Sequence, residues 1–146
     1  MYVHWNQLEP EKGNFDWRVT DIMMKLNEKY NFKTTLFFSV INADRLGPFP
    51  SWMGNQALGQ TLEDETIRVL DSILSRYENI DYVIFAADID YHFQRAPASI
   101  PIYKEFFNNI SSEIFFIAKG EVVMVGERFG IRFTEVADPE ERVQNL

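Results

Sequence analysis

Three side chains with metal-binding or acid–base chemistry lie at alternate positions of one short segment. Asp88, Asp90 and His92 follow a run of apolar residues, and in an extended backbone all three would point to the same side. Carboxylate and imidazole groups together suit an oxygen-preferring or borderline metal. His4 is the only other histidine and no distant ligand motif accompanies the segment. A polar loop without a metal is therefore the preferred interpretation.

Aromatic residues at predicted strand ends form a second candidate site. Trp5, Tyr91 and His92 follow predicted strands, and Trp52 lies in a long loop. Rings at the carboxyl end of a β/α sheet could stack on sugar rings. Alternatively, Phe49 and Trp52 only pack their loop against the domain. The sequence does not decide between the two.

The elements that would position these residues begin with one helix and one strand. Apolar residues at three- and four-residue spacing predict a helix over about residues 16–30, with Asp16 as its N-cap. The residues expected on its buried face are Val19, Ile22, Met23, Leu26 and Tyr30. Residues 33–41 are rich in β-branched and aromatic types, which predicts a strand buried on both faces.

A second helix and strand follow a long loop. Residues 42–60 hold three glycines and two prolines without periodicity and are predicted to be that loop. Thr61, with Asp64 three residues later, predicts the start of a helix. Its expected buried stripe is Ile67, Leu70, Ile73, Leu74 and Tyr77. Residues 82–87 are predicted to form the next strand.

A polar loop over residues 88–99 is predicted to lead into a third helix, which Pro101 opens. Its expected buried residues are Ile102, Tyr103, Phe106, Phe107, Ile110, Ile114 and Ile117. Two endings fit the sequence. Gly120 stops the helix and residues 121–125 form a strand, or the helix continues and only residues 130–134 do. We favour the second ending.

This alternation of helices and strands predicts an α/β fold with a parallel sheet, in one domain over residues 1–146. If residues 2–5 are a clipped first strand, the chain has about four strands and three helices, whereas a closed eight-stranded β/α barrel needs roughly 200 residues or more.

Two segments resemble motifs of TIM-barrel glycoside hydrolases. Residues 5–17 read W-N-Q-L-E-P-E-K-G-N-F-D-W. They match the pattern W-x-x-x-E-P-x-x-G-x-(F/Y)-D-W that follows the second strand in many of those enzymes. Residues 82–93 resemble the fourth strand and its G-N-E-x-D-x-(Y/F) ending, and residues 130–134 resemble the fifth strand. The resemblance implies a half TIM barrel with helices on the outer face, similar to about strands 2 to 5 of a retaining β-glycosidase.

The resemblance places the general acid/base at Asp88, where those enzymes have glutamate, and Ala86 and Ala87 stand at the glycine and asparagine positions. The shorter aspartate would misplace the carboxyl by roughly 1 Å, which can cost about a hundredfold in rate. Retaining hydrolysis also needs a second carboxylate about 5 Å away. In the family this nucleophile ends the seventh strand, which the chain does not reach. Glu135 is interpreted as a solvated loop residue, and Glu9 as a brace for its loop.

Composition excludes several classes of partner. The net charge is −8 and the pI is near 4.7, with scattered basic residues, so we expect no nucleic acid partner. No apolar run approaches the roughly 20 residues that cross a bilayer, so we expect no membrane partner. The absence of cysteine excludes thiol catalysis and disulfides, and no cofactor motif is present. The first residues lack the features of a secretory signal, and the compartment stays open.

These patterns favour a glycoside-hydrolase-like module that is inactive or weakly active alone. It would keep carbohydrate binding through Trp5, Trp52, Asp90, Tyr91 and His92. Whether it is an enzyme stays open, because no nucleophile is recognisable. The alternative is a non-catalytic structural or interaction protein, a remnant half-barrel that self-assembles.

A homodimer is expected in either case. The inner face of half a barrel lacks the side chains of the other half, which leaves either Phe37 or Phe38, and either Phe85 or Ile84, without neighbours. Exposed apolar faces and strand edges are normally covered, and a two-fold dimer is the simplest closed arrangement.

Overall fold

The computed structural model describes residues 1–87, 89–117, 123–128 and 131–134. They form a five-stranded sheet and five α-helices, which confirms the predicted α/β class. The strands are β1 Thr34–Asn42, β2 Arg45–Leu46, β3 Ile80–Ala87, β4 Val123–Arg128 and β5 Ile131–Thr134. The helices are α1 Trp5–Leu8, α2 Arg18–Lys29, α3 Gln60–Arg76, α4 Ile89–Arg95 and α5 Ser99–Ile117, and a 3₁₀ turn spans Ser51–Met53. No helix in these ranges is long and apolar enough to span a membrane.

The sheet is mixed, with strand order β2-β1-β3-β4-β5. β1, β3 and β4 are parallel, whereas β2 and β5 pair antiparallel with β1 and β4 at the two ends. The predicted parallel sheet is therefore correct only for the centre. The expected strand over residues 2–5 is reduced to one parallel bridge between Tyr2 and Phe37, because α1 already begins at Trp5.

The favoured ending of the third helix is wrong. After α5 the chain forms β4, which is parallel to β3, and residues 131–134 fold back on β4 as an antiparallel strand. Arg128 pairs with Ile131, so only two residues separate the strands. Two β-prone runs this close together can pair as a hairpin, which satisfies the backbone groups on the outer edge of β4.

One face of the sheet is buried beneath the helices. Thr34, Leu36, Phe38 and Val40 of β1 are buried at alternate positions. The Thr34 hydroxyl accepts a hydrogen bond of 2.9 Å from the Asn27 amide of α2. On β3, Phe85 is fully buried, with ring centroids 5.7 and 5.9 Å from those of Phe106 and Phe107 of α5.

The opposite face of the sheet is only partly covered. Phe37 and Ile84 lie on it and are half-buried, whereas Phe38 and Phe85 belong to the helix-covered face. Tyr2 stacks on Phe37 with ring centroids 4.5 Å apart. The prediction that β1 is buried on both faces is therefore wrong for one of them.

The first predicted helix is confirmed as α2, but its expected buried face is wrong. Thr20 and Met24 are the buried residues, and the predicted stripe is exposed: Val19, Ile22, Met23, Leu26 and Tyr30. Contacts with α3 determine which face of α2 is buried. The Tyr77 hydroxyl at the end of α3 donates a hydrogen bond to the Thr20 hydroxyl at 2.7 Å. Trp17, not Asp16, is the N-cap residue.

The second and third predicted helices are confirmed as α3 and α5. α3 begins after Gly59 without a side-chain cap, so the predicted Thr61 cap is wrong. Most expected core positions are buried, but Ile67 is half-buried and Ile102 is 50% exposed. The predicted polar loop over residues 88–99 contains helix α4.

Candidate functional site

Three chain segments meet at the carboxyl edge of the parallel strands. Residues 5–9 follow the Tyr2 bridge, residues 43–59 follow β1, and α4 follows β3. Because these strands run in the same direction, the segments after them emerge at the same edge. Contacts between the segments include a hydrogen bond from the Trp52 Nε1 to the Glu9 carbonyl at 3.1 Å and an ion pair between Arg95 and Asp44 at 2.8 Å. Loops at this edge are the usual site of ligand binding in β/α folds.

Glu9, in the first of these segments, is a fully buried carboxylate. Its Oε1 accepts from the Gly13 backbone N–H at 2.6 Å and from Arg68 at 2.7 Å. Its Oε2 accepts from the Trp5 Nε1 at 2.9 Å and from Arg68 at 2.8 Å. Each oxygen therefore has two donors, which leaves the carboxylate no free direction for a substrate proton. These contacts agree with the predicted bracing role of Glu9.

Arg68 connects the buried Glu9 carboxylate to charged side chains at the protein surface. Its Nε donates to Glu65 at 2.8 Å, and Lys12 pairs with the other oxygen of Glu65. Burial tends to lower the pKa of Arg68, but hydrogen bonds from Arg68 to Glu9 and Glu65 outweigh it and raise that pKa. Burial likewise tends to raise the pKa of Glu65, and its bonds from Lys12 and Arg68 reverse the effect. Arg68 and Glu65 are therefore both held in their charged forms.

Trp5 does not present a ring surface to a ligand. It is 4% exposed, and its ring centroid lies 5.4 Å from that of Phe38 and 5.7 Å from that of Phe49. Its Nε1 is bonded to Glu9. The sugar-stacking role expected for Trp5 is therefore not available to it in this structure, because the indole is part of the core.

Trp52 holds its loop against the Glu9 segment. It is half-buried, and the Lys12 Nζ lies 5.4 Å and the Arg68 guanidinium 5.9 Å from its ring centroid. The loop turns sharply before it at Gly47, whose φ of +93° favours glycine. A Cβ at this position would lie 2.7 Å from the Phe49 backbone N. Of the two interpretations left open by the sequence, these contacts support the loop-packing one.

Tyr91 is the exposed aromatic residue of this edge. Its side chain is 42% exposed, and the Arg95 guanidinium lies 4.7 Å from its ring centroid. Arg95 also donates to the Tyr91 hydroxyl at 2.8 Å and is itself held by Asp44. Cation–π contact and hydrogen bond together fix the ring, with one face covered by Arg95. His92 is half-buried beside Phe93.

The alternating metal-ligand pattern is not realised in the backbone. Asp90 and His92 lie in α4, so the backbone there is helical and not extended as the pattern requires. Asp88 and Glu135 lie outside the described residues. Within the described ranges no group of three histidine, cysteine or acidic side chains could hold a metal ion.

The two arginines that organise this edge were not predicted from the sequence. Arg68 lies 59 residues from Glu9, and Arg95 lies 51 residues from Asp44. No local pattern marks either pair, because each forms only when α3 and α4 pack against distant loops.

No family model matches the chain, and no curated protein matches it.

Proposed function

We propose that this chain is a carbohydrate-binding β/α module of the glycoside hydrolase type that does not hydrolyse glycosides by itself. The resemblance of residues 5–17 and 82–93 to that family supports the proposal. The proposal includes a half-barrel organisation of the chain. The Tyr2 bridge, β1, β3 and β4 are neighbours in chain order and parallel, with α2, α3 and α5 between them, as consecutive units of such a barrel would be.

The fixed and exposed ring of Tyr91 carries the binding proposal. A sugar ring stacks best on an aromatic face whose orientation is already set, because less side-chain entropy is lost on binding. The Arg95 and Asp44 contacts set that orientation. Asp90 and His92 flank Tyr91 in α4 and would extend the binding surface, while Trp52 holds the neighbouring loop in place and Trp5 supports it from the core.

The proposal that the chain alone does not hydrolyse glycosides follows from the state of its candidate catalytic carboxylates. Glu9 already accepts four hydrogen bonds, so it is not free to attack a sugar or to transfer a proton. Asp88 would be the only acid/base group, and a retaining reaction needs two carboxyls.

Titration with cello-, galacto- and manno-oligosaccharides tests the binding, followed by tryptophan fluorescence and by backbone amide NMR shifts. We expect saturable binding with Kd on the order of 1 mM, which corresponds to about 4 kcal/mol. Tyr91→Ala should weaken it about two- to tenfold, the range expected for one lost aromatic contact. Tyr82→Ala is the matched control, because Tyr82 is 40% exposed but lies near the start of β3, at the other end of the strand. Equal effects of the two variants, or no binding at 10 mM sugar, would contradict the proposal.

Hydrolysis is tested separately with aryl β-glycosides and β-linked glucans, galactans and mannans. We expect no turnover above background for the wild-type chain. Turnover that disappears in Asp88→Ala would show that the chain is a glycosidase, and Glu135 would then be the first nucleophile to test.

A further inference from the structure

One flank of α2 and the turn after it form an exposed apolar surface, here called the α2 flank. It consists of Val19, Ile22, Met23, Leu26, Tyr30 and Phe32. These side chains are 68, 62, 38, 49, 57 and 63% exposed. Scattered exposed apolar residues need no explanation, but a contiguous group marks an interaction site.

The geometry of the helix makes the α2 flank continuous. Its residues recur every three or four positions and so lie in one row. Tyr30 and Phe32 extend the row beyond the helix, with ring centroids 5.8 Å apart. The opposite side of α2 is occupied, because Thr20 and Met24 are buried and Asp21 pairs with Arg76 of α3. Among the described elements, none covers the α2 flank.

An open strand edge lies at the same end of the molecule. Phe37 of β1 bonds to Met1 and Val3 on either side of Tyr2, so the backbone groups of Tyr2 face away from β1. Tyr2 itself is 69% exposed. β3 lies on the other side of β1, and α3 lies on the other side of α2. Both the strand layer and the helix layer are therefore uncovered at this end, except where β2 pairs with Ile41 and Asn42 of β1.

We propose that the α2 flank is the interface of a homodimer, in which α2 of one copy packs antiparallel against α2 of a second copy. Packing a surface against itself around a two-fold axis is the commonest closed arrangement of identical chains. The six side chains expose roughly 600 Å², and with Tyr2 and the helix margins the area approaches the roughly 800 Å² per partner of standard interfaces. This surface replaces the sheet face as the predicted dimer contact, since Phe37 on that face is half-buried and stacks on Tyr2.

Charge predicts how this dimer responds to salt. Lys25 and Lys29 are exposed along one margin of the α2 flank. A two-fold axis between antiparallel helices brings the same margin of each copy together, so these lysines face those of the second copy. Like charges at an interface rim repel, and salt screens them. The dimer should therefore be several-fold tighter at 0.5 M than at 0.05 M sodium chloride.

Sedimentation equilibrium tests the interface. The wild-type chain at micromolar concentration should have about twice the 17.2 kDa chain mass. The double variant Ile22→Glu, Leu26→Glu should be monomeric, with Kd raised at least a hundredfold. Because both side chains are already exposed in the single copy, the far-ultraviolet circular dichroism of the variant should match that of the wild type. Ile102→Glu is the control, since Ile102 is 50% exposed on α5 and should leave the dimer intact.

Cysteine cross-linking gives a second measurement that does not depend on disrupting the interface. The chain contains no cysteine, so a single introduced thiol reports only on its own position. Met23 lies near the middle of α2, where an antiparallel pair brings equivalent residues together. Met23→Cys should form an intermolecular disulfide under mild oxidation, and Ile102→Cys should not.

Several results would overturn the proposal. They are a wild-type monomer at 100 µM, a dimer that survives the double glutamate variant, and equal cross-linking of the two cysteine variants. A chain that stays monomeric and associates only with a different protein would also overturn it.

Discussion

Glu9→Gln is the sharpest test of the hydrogen bonds and the ion pair that surround the buried Glu9 carboxylate at the carboxyl edge. The substitution keeps the shape of the side chain but replaces one acceptor oxygen with a donor NH₂ group. All groups that surround Glu9 are donors: the Trp5 Nε1, the Gly13 N–H and the Arg68 guanidinium. The new amide must therefore point its NH₂ at one of these donors, and Arg68 loses its fully buried counter-charge.

The structure sets the size of the effect. Removing one partner of a fully buried ion pair costs about 3–5 kcal/mol. Arg68 is 32% exposed and keeps its bond to Glu65, so part of its charge stays compensated. We therefore expect Glu9→Gln to lower the free energy of unfolding by about 2–3 kcal/mol, in the range of one hydrogen bond to a charged group. For a chain of this size that corresponds to a fall in Tm of about 4–10 °C.

Urea unfolding measures the effect, followed by circular dichroism and by the fluorescence of Trp5 and Trp52, which both contact this segment. Glu11→Gln is the matched control, because Glu11 lies exposed in the same loop and should change stability by less than about 0.5 kcal/mol. In an Arg68→Met background, Glu9→Gln should cost clearly less than in the wild type, since the two residues are directly coupled.

A Glu9→Gln variant within about 0.5 kcal/mol of the wild type would refute this reasoning. It would mean that the carboxylate contributes no more than its desolvation costs. Additive effects of the Glu9 and Arg68 substitutions would contradict the ion pair itself.

Two further predictions concern the helices. Tyr103 is 6% exposed, its hydroxyl has no hydrogen-bond partner among the described residues, and burial raises its pKa. Tyr103→Phe should therefore raise stability by up to about 1 kcal/mol in thermal unfolding, and a clear loss would contradict the lack of a partner. Hydrogen bonds from Arg76 and Tyr77 lower the pKa of Asp21 to about 2, below its unfolded value near 4. The stability from Asp21 is thus present above about pH 4 and is lost as pH falls towards 2, so wild type and Asp21→Asn should differ in urea unfolding at pH 6 and converge at low pH. A difference that does not change with pH would argue against this ion pair.

The secondary structure was largely readable from the sequence. α2 is predicted over 16–30 and observed over Arg18–Lys29, and β1 is predicted over 33–41 and observed over Thr34–Asn42. These elements follow from local periodicity and residue type, which act over a few neighbouring residues. The predicted ending after α5 was wrong because two β-prone runs follow that helix. Both form strands, and contacts across the sheet decide which strand each of them pairs with.

The candidate site could be predicted only in part from the sequence. The position of Tyr91 beyond β3 and the bracing role of Glu9 were foreseen from spacing and loop chemistry. The burial of Trp5 was not, because Phe38 and Phe49 enclose it only after β1 and the following loop pack together. α4 was missed because a two-turn helix is too short for periodicity to reveal.

The sequence by itself determined the positions of the longer elements α2, α3, α5, β1 and β3, and that α2 carries an apolar stripe. Only the tertiary structure decided which side of α2 faces the core. Tyr77 and Arg76 of the α3 end bond to Thr20 and Asp21, which turns the stripe outward. Sequence periodicity shows that one side of a helix is more apolar than the other. Which side is buried depends on the elements that contact the helix, and those contacts join residues far apart in the chain.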